Sequence, residues 1–183
     1  MDNINTRIEN IRKGIAKRAA AMKAKVQKQG FQFKPFSTKQ KKVLTWWCPA
    51  SPVKDMDGII ADGAIRSGKT LSMSLSYVLW AMETFNGQDF GMAGKTIGSF
   101  RRNVLRWLMV MLISRRYKIK YNRSDNILVV TKGKVTNNFY IFGGKDEGSQ
   151  DLVQGITCAG FFFDEVALMP ESFVNQATGR CSV

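Results

Sequence analysis

The eight residues Gly63-Ala64-Ile65-Arg66-Ser67-Gly68-Lys69-Thr70 restrict the possible folds of this chain more than any other stretch. They follow the apolar run "GIIAD" at 58–62 and open the apolar segment "LSMSLSYVLWAMETF" at 71–85. Glycines at both ends of the octet let the backbone bend, so that successive N–H groups turn inward. The segment behind it reads as a helix whose N-terminus adds a positive dipole end. Together these make a cradle for phosphates, in which Lys69 neutralises the outer oxygens and Thr70 offers its hydroxyl to Mg2+. A cradle of this kind needs a strand before it and a helix after it, so the predicted class is α/β.

A triphosphate cradle also needs a carboxylate at the tip of a neighbouring buried strand. "GFFFDEV" at 160–166 supplies it, with Asp164 placed to hold the metal and Glu165 to align the attacking water. Both signals fall where an α/β sheet gathers its functional groups, at the carboxyl ends of the strands. Gln40, upstream of the loop and near the aromatic Phe36 and Trp46, is a candidate reader of adenine N6 and N7. A solvated surface glutamine is the other reading. Arg66 either forms an outward salt bridge or reaches the terminal phosphate as a charge sensor. Arg101, Arg102 and Arg180 are spare cations that could act across a subunit interface.

The chain has 183 residues, enough for one domain with a tail. It contains no histidine, so histidine bases, Cys/His zinc sites and Ser-His-Asp triads are excluded within it. Its three cysteines, Cys48, Cys158 and Cys181, form no CxxC pair and fit a reducing compartment. The net charge is +14, and residues 1–42 carry +10 of it, from 12 basic and 2 acidic side chains. Residues 1–30 read as an amphipathic basic helical arm, with Ile4, Ile8, Ile11, Ile15, Met22 and Val26 on one stripe. Such an arm suits a polyanion or another subunit, or packs on its own domain. A second cluster, 101–123, has eight basic residues and no acid, consistent with nucleic acid or with ordinary exposed charge. The longest apolar run, "WLMVMLI", is too short to span a bilayer, so no membrane is expected.

From 31 to 183 the pattern alternates. A capped helix is predicted from Ser37 or Thr38 through Trp47, a proline-rich linker over 48–58, a strand at 58–62 and a helix over 68–85. A strand at 89–96 and a helix at 99–114 follow, then three strands at 117–122, 126–131 and 134–144 forming an antiparallel meander. The loop 144–155 leads to a continuous strand over 156–166, and Pro170 opens a last helix.

Taken together, "FSTKQKKVLTWW", "GAIRSGKT" and "GGKDEGSQDLVQGITCAGFFFDEVALMPESFVNQATGR" resemble the ATPase half of the large terminase subunits of tailed bacteriophages, over 31–183. The resemblance implies a P-loop NTPase of the additional-strand, catalytic-glutamate type, with an incomplete parallel sheet, a meander insertion and a basic N-terminal helix. It implies that residues 63–70 and Gln40 bind ATP, that Thr70 and Asp164 hold Mg2+, and that Lys69, Glu165 and Arg66 serve catalysis. It further implies translocation of double-stranded DNA into a procapsid in the host cytoplasm, with a portal protein, a small terminase subunit and a homo-oligomeric motor as partners. Family members continue into a coupling motif and a nuclease domain, whereas this chain stops at Val183. The strand inserted between the loop strand and the DE strand is therefore expected to be missing, with weak binding and poor hydrolysis. A helicase-like translocase fragment and a non-catalytic basic DNA-binding or assembly module are the competing readings.

Overall fold

The computed structural model describes Glu9 and residues 35–64, 66–145 and 147–183. The predicted basic arm, apart from Glu9, lies outside the described residues, as does Ile65 of the loop. Five strands form one mixed sheet: β1 (Asp89–Gly94), β2 (Lys118–Asn122), β3 (Ile127–Lys132), β4 (Val135–Gly143) and β5 (Phe161–Phe163). Their order across the sheet is β2-β3-β4-β1-β5. β1 runs parallel to both β4 and β5, so three strands end at one edge. β2, β3 and β4 form the predicted antiparallel meander.

Side-chain alternation along these strands produces two apolar faces. Phe90, Met92, Leu128, Val130, Phe139, Ile141 and Phe162 alternate onto one of them, and all are buried. This face meets the long helix Lys69–Thr84, which is α2 in chain order and whose Tyr77 ring contacts Phe90, Phe139 and Phe162. The Tyr77 hydroxyl donates to the Gly91 carbonyl at 3.0 Å, anchoring the helix to the central strand. On the opposite face Ala93, Tyr140, Phe161 and Phe163 pack with Phe173 and Ala177 of the last helix, α5 (Glu171–Thr178). Each such large apolar side chain contributes about 1.5–3 kcal/mol on burial.

Other helices among residues 35–183 as described are α1 (Thr38–Leu44), α3 (Ile97–Phe100) and α4 (Arg106–Ser114). A π-helical turn, Arg101–Leu105, joins α3 to α4. It buries Val104 and Leu105 while Arg102 and Arg106 stay exposed. The Arg101 guanidinium is turned inward, donating to the Tyr121 hydroxyl at 2.6 Å, to the Arg123 carbonyl at 3.0 Å and to the Asn126 side chain. Arg101 is therefore a tether between the π turn and the meander rather than a spare cation. At the far end of α2, buried Asn137 donates to the Ala81 and Phe85 carbonyls at 3.1 and 2.9 Å and accepts from the Gln88 N–H at 3.0 Å. It thereby satisfies the carbonyl of the C-cap residue Phe85 and gives the Ala81 carbonyl a second donor beside the Phe85 N–H.

Three sequence expectations are corrected. The run 58–62 forms no strand, and Ile60 is 92 % exposed. A strand persists only where a neighbour takes its ladder hydrogen bonds. β5 is the edge of the sheet, and its outer side pairs with nothing among the described residues. The strand predicted over 156–166 is confined to Phe161–Phe163, because Cys158 pairs instead with Cys181 in a lone parallel bridge. Helix α1 stops at Leu44, three residues before Trp47. In addition, the loop 144–155 carries a 3-10 helix, Glu147–Val153. No helix among the described residues is long and apolar enough to cross a membrane.

Gly91 is where the sheet can least bear a side chain. A Cβ there would lie 2.0 Å from the Phe161 ring, which rests directly on the β1 backbone. Gly91→Ala is expected to cost at least about 2–3 kcal/mol by overpacking and to pull β5 away from β1. Chemical denaturation checks this; a loss below about 0.5 kcal/mol would contradict the packing.

Candidate active site

The octet lies at the N-terminus of α2, near the edge where β4, β1 and β5 end. Gly68 is the helix N-cap at φ 81°, ψ 18°, with no side-chain cap, so the first-turn N–H groups are left for a ligand in the loop. A glycine is required there twice over. The positive φ strains any other residue, and an added Cβ would fall 2.6 Å from Gln40 Nε2.

Lys69 Nζ donates to the Gly63 and Ala64 carbonyls at 2.5 and 2.9 Å, closing the loop on itself. Asp62 Oδ1 accepts the Gly63 N–H at 2.7 Å and pins the loop entrance. The sequence reading missed this role, although an aspartate directly before a turn glycine is the signal that carries it. Arg66 is exposed, at φ 63°, and forms no ion pair among the described residues. The outward salt bridge expected as one alternative is therefore not formed there.

The second half of the site comes from β5. The Asp164 N–H donates to the Ala93 carbonyl at 2.8 Å, fixing Asp164 at the strand tip beside β1. Its Oδ1 accepts from the Thr70 hydroxyl at 2.9 Å, across 94 residues of chain. Burial holds the Asp164 carboxyl above the ordinary carboxylate range; the Thr70 hydrogen bond opposes this and the neighbouring Glu165 charge adds to it. Glu165 is exposed and left-handed, at φ 60° and ψ 48°. That conformation costs a non-glycine residue about 1–2 kcal/mol and turns the chain sharply into the 3-10 turn Val166–Leu168. Of the four non-glycine residues with positive φ among the described residues, two, Arg66 and Glu165, belong to the two halves of this site. Backbone strain of this sort concentrates at functional sites.

Gln40 also reaches the loop. Its Nε2 donates to the Ser67 carbonyl at 2.9 Å, and its Oε1 accepts the Ser37 N–H at 3.0 Å as part of a capping box. Both ends of the amide expected to read adenine are therefore engaged within the protein. Among the described residues no cluster of three or more acidic or cysteine side chains could hold a metal. The oxygen donors at this site are the Thr70 hydroxyl and the Asp164 carboxylate.

Comparison with solved structures decides the relationship. The large terminase of a thermophilic bacteriophage matches at 70 % identity and a TM-score of 0.79, covering 82 % of this chain. The chain belongs to the large terminase family. The same phage protein solved with ADP matches at 66 % identity and a TM-score of 0.78, and the form solved with ATP-gamma-S at 66 % and 0.76; each covers 81 % of this chain. This terminase chain spans 36–37 % of the length of those structures. No protein-family model and no curated protein sequence matches it. The fold is accordingly that of the matching segment of these large terminases, α/β with a meander, although the segment before the phosphate loop stands outside the sheet.

The raised carboxyl pKa of Asp164 has a consequence in the metal-free protein. Between its unfolded and folded pKa values the folded state binds more protons, so stability falls as pH rises through that window. Asp164→Asn, measured with chelator present, is expected to melt above the parent at pH 8, with the gap shrinking towards pH 4. A variant that melts lower at pH 8 would overturn the assignment of burial as the dominant cause.

Proposed function

We propose that the chain is the ATPase portion of a viral DNA-packaging motor, coupling ATP hydrolysis to movement of double-stranded DNA into a procapsid. The observation that carries this reading is the Thr70–Asp164 hydrogen bond, which brings phosphate loop and DE strand to one point. The solved relatives with ADP and ATP-gamma-S support a nucleotide as its ligand.

Residues 63–70 would then wrap the phosphates with backbone N–H groups. Lys69 would leave the Gly63 and Ala64 carbonyls and turn to the β and γ oxygens, exchanging two neutral acceptors for charged ones. Mg2+ takes oxygen ligands and keeps several waters, so one hydroxyl and one carboxylate on facing elements, with the phosphates, suit it. Thr70 and Asp164 would hold it; when bound it neutralises charge on the transferring phosphoryl group. It would also relieve the cost of keeping Asp164 ionised in a half-buried position. Glu165, exposed beside it, would orient the attacking water and take up its proton. Arg66, unpaired by any carboxylate among the described residues, would reach the γ-phosphate as a charge sensor. The basic arm, residues 1–30, is proposed to bind DNA. The portal protein, the small terminase subunit and further copies of the large subunit would be the motor's other partners, in the host cytoplasm.

Two variants separate binding from chemistry. Lys69→Ala is expected to weaken ATP binding at least tenfold by calorimetry. Glu165→Gln is expected to keep the parental affinity within about threefold while turnover falls about 10²–10⁴-fold. Retention of turnover by Glu165→Gln would remove that residue from catalysis. For DNA, the +10 over residues 1–42 implies affinity that drops steeply from low to moderate salt. A flat response in a gel-shift titration would refute the role of the arm.

A further inference from the structure

Gln40 stands at a junction that adenine recognition does not explain. Its Oε1 accepts the Ser37 N–H at 3.0 Å while Ser37 Oγ accepts the Gln40 N–H at 3.3 Å, so one end of the amide belongs to the cap of α1. The other end, Nε2, donates to the Ser67 carbonyl at 2.9 Å, inside the phosphate loop. Helix α1 is itself fixed to α2, because Ser76, buried within α2, donates its hydroxyl to the Val43 carbonyl at 2.7 Å. The donor that meets Ser67 is thus held by a capped helix bolted to the helix that the loop opens. Gly68, the next residue, leaves room for it by lacking a Cβ.

We infer that Gln40 is a positioning residue for the phosphate loop, acting through the Ser67–Gly68 peptide. That peptide is trans, so its carbonyl and its N–H point in opposite directions. Holding the Ser67 carbonyl against α1 turns the Gly68 N–H away from α1 and presets one donor of the cradle. Without this bond the peptide can rotate, since glycine at its C-terminal side allows either orientation. Ordering it would then be charged against phosphate binding. The effect falls on the phosphates and is indifferent to the base, which sets it apart from adenine reading.

This inference rests on the proposed nucleotide site, and Gln40→Glu tests the two separately. A glutamate keeps the acceptor for the Ser37 N–H, and with it the capping box, but has no donor for the Ser67 carbonyl. Calorimetric titration of the full chain with Mg-ATP, Mg-GTP and inorganic tripolyphosphate is expected to show all three weakened by a similar factor, about 3- to 10-fold. The melting temperature should stay within about 2 °C of the parent. Ser37→Ala provides the converse: it removes the cap hydroxyl and leaves the Ser67 contact, lowering the melting temperature while tripolyphosphate affinity stays within about twofold. Weakening of ATP alone, with GTP and tripolyphosphate unchanged, would overturn the inference in favour of base reading. Equal tripolyphosphate affinity in parent and Gln40→Glu would overturn it outright, and leave the nucleotide site standing. Failure of the parent to bind any of the three would overturn the nucleotide site itself, and the inference with it.

Discussion

A single hydroxyl-to-carboxylate hydrogen bond, Thr70 to Asp164, ties together two segments that the sequence keeps 94 residues apart. Each end of it is held independently. Thr70 is fixed because α2 is locked to the sheet by Tyr77 and at its far end by Asn137. Asp164 is fixed because its N–H bonds to Ala93 on the central strand. The contact therefore joins two rigid bodies, and the geometry of the site follows from the packing of both sheet faces. A polar pair of modest strength, worth about 1 kcal/mol in itself, becomes specific through the scaffold on either side.

The same contact sits among side chains that are either engaged within the protein or exposed. Asp164 is half-buried with its carboxyl pushed upward in pKa, a state that a divalent cation would relieve. Lys69 satisfies its ammonium on loop carbonyls, and Gln40 satisfies its amide on Ser37 and Ser67. Arg66 and Glu165 are held in left-handed backbone and left exposed. On the proposed function, a triphosphate and its metal would take over these internal contacts and engage the exposed groups. This is the arrangement expected where ligand binding exchanges weak neutral contacts for charged ones.

Much of this is legible in residue order. The octet and its helix, the meander with its turns at 123–126 and 133–134, the Ser37 cap and the terminal helix after Pro170 are where local chemistry dictates them, since each rests on short-range rules. The pairing of Thr70 with Asp164 is legible because the sequence pattern assigns both to one proposed ligand, and the fold joins them by a hydrogen bond. What residue order does not carry are features that depend on a neighbour. The run 58–62 has the apolar content of a strand but no ladder partner, and Cys158 is drawn into a bridge with Cys181 while Ala159 and Gly160 still bond to β1. Gln40 has the amide chemistry to read a base, whereas the fold spends it on Ser37 and Ser67. Arg101 likewise carries the charge of a free cation yet is consumed by Tyr121, Arg123 and Asn126. Side-chain chemistry names the candidates; tertiary contacts decide which remain free.

The central claim is that Thr70 and Asp164 act on one ligand as a unit. A double-mutant cycle of Thr70→Val and Asp164→Asn, read as the dissociation constant for Mg-ATP, tests it most directly. The account predicts strong non-additivity, with a coupling energy of at least about 1 kcal/mol. Losses that sum to within about 0.3–0.5 kcal/mol would show two independent groups and contradict a shared site.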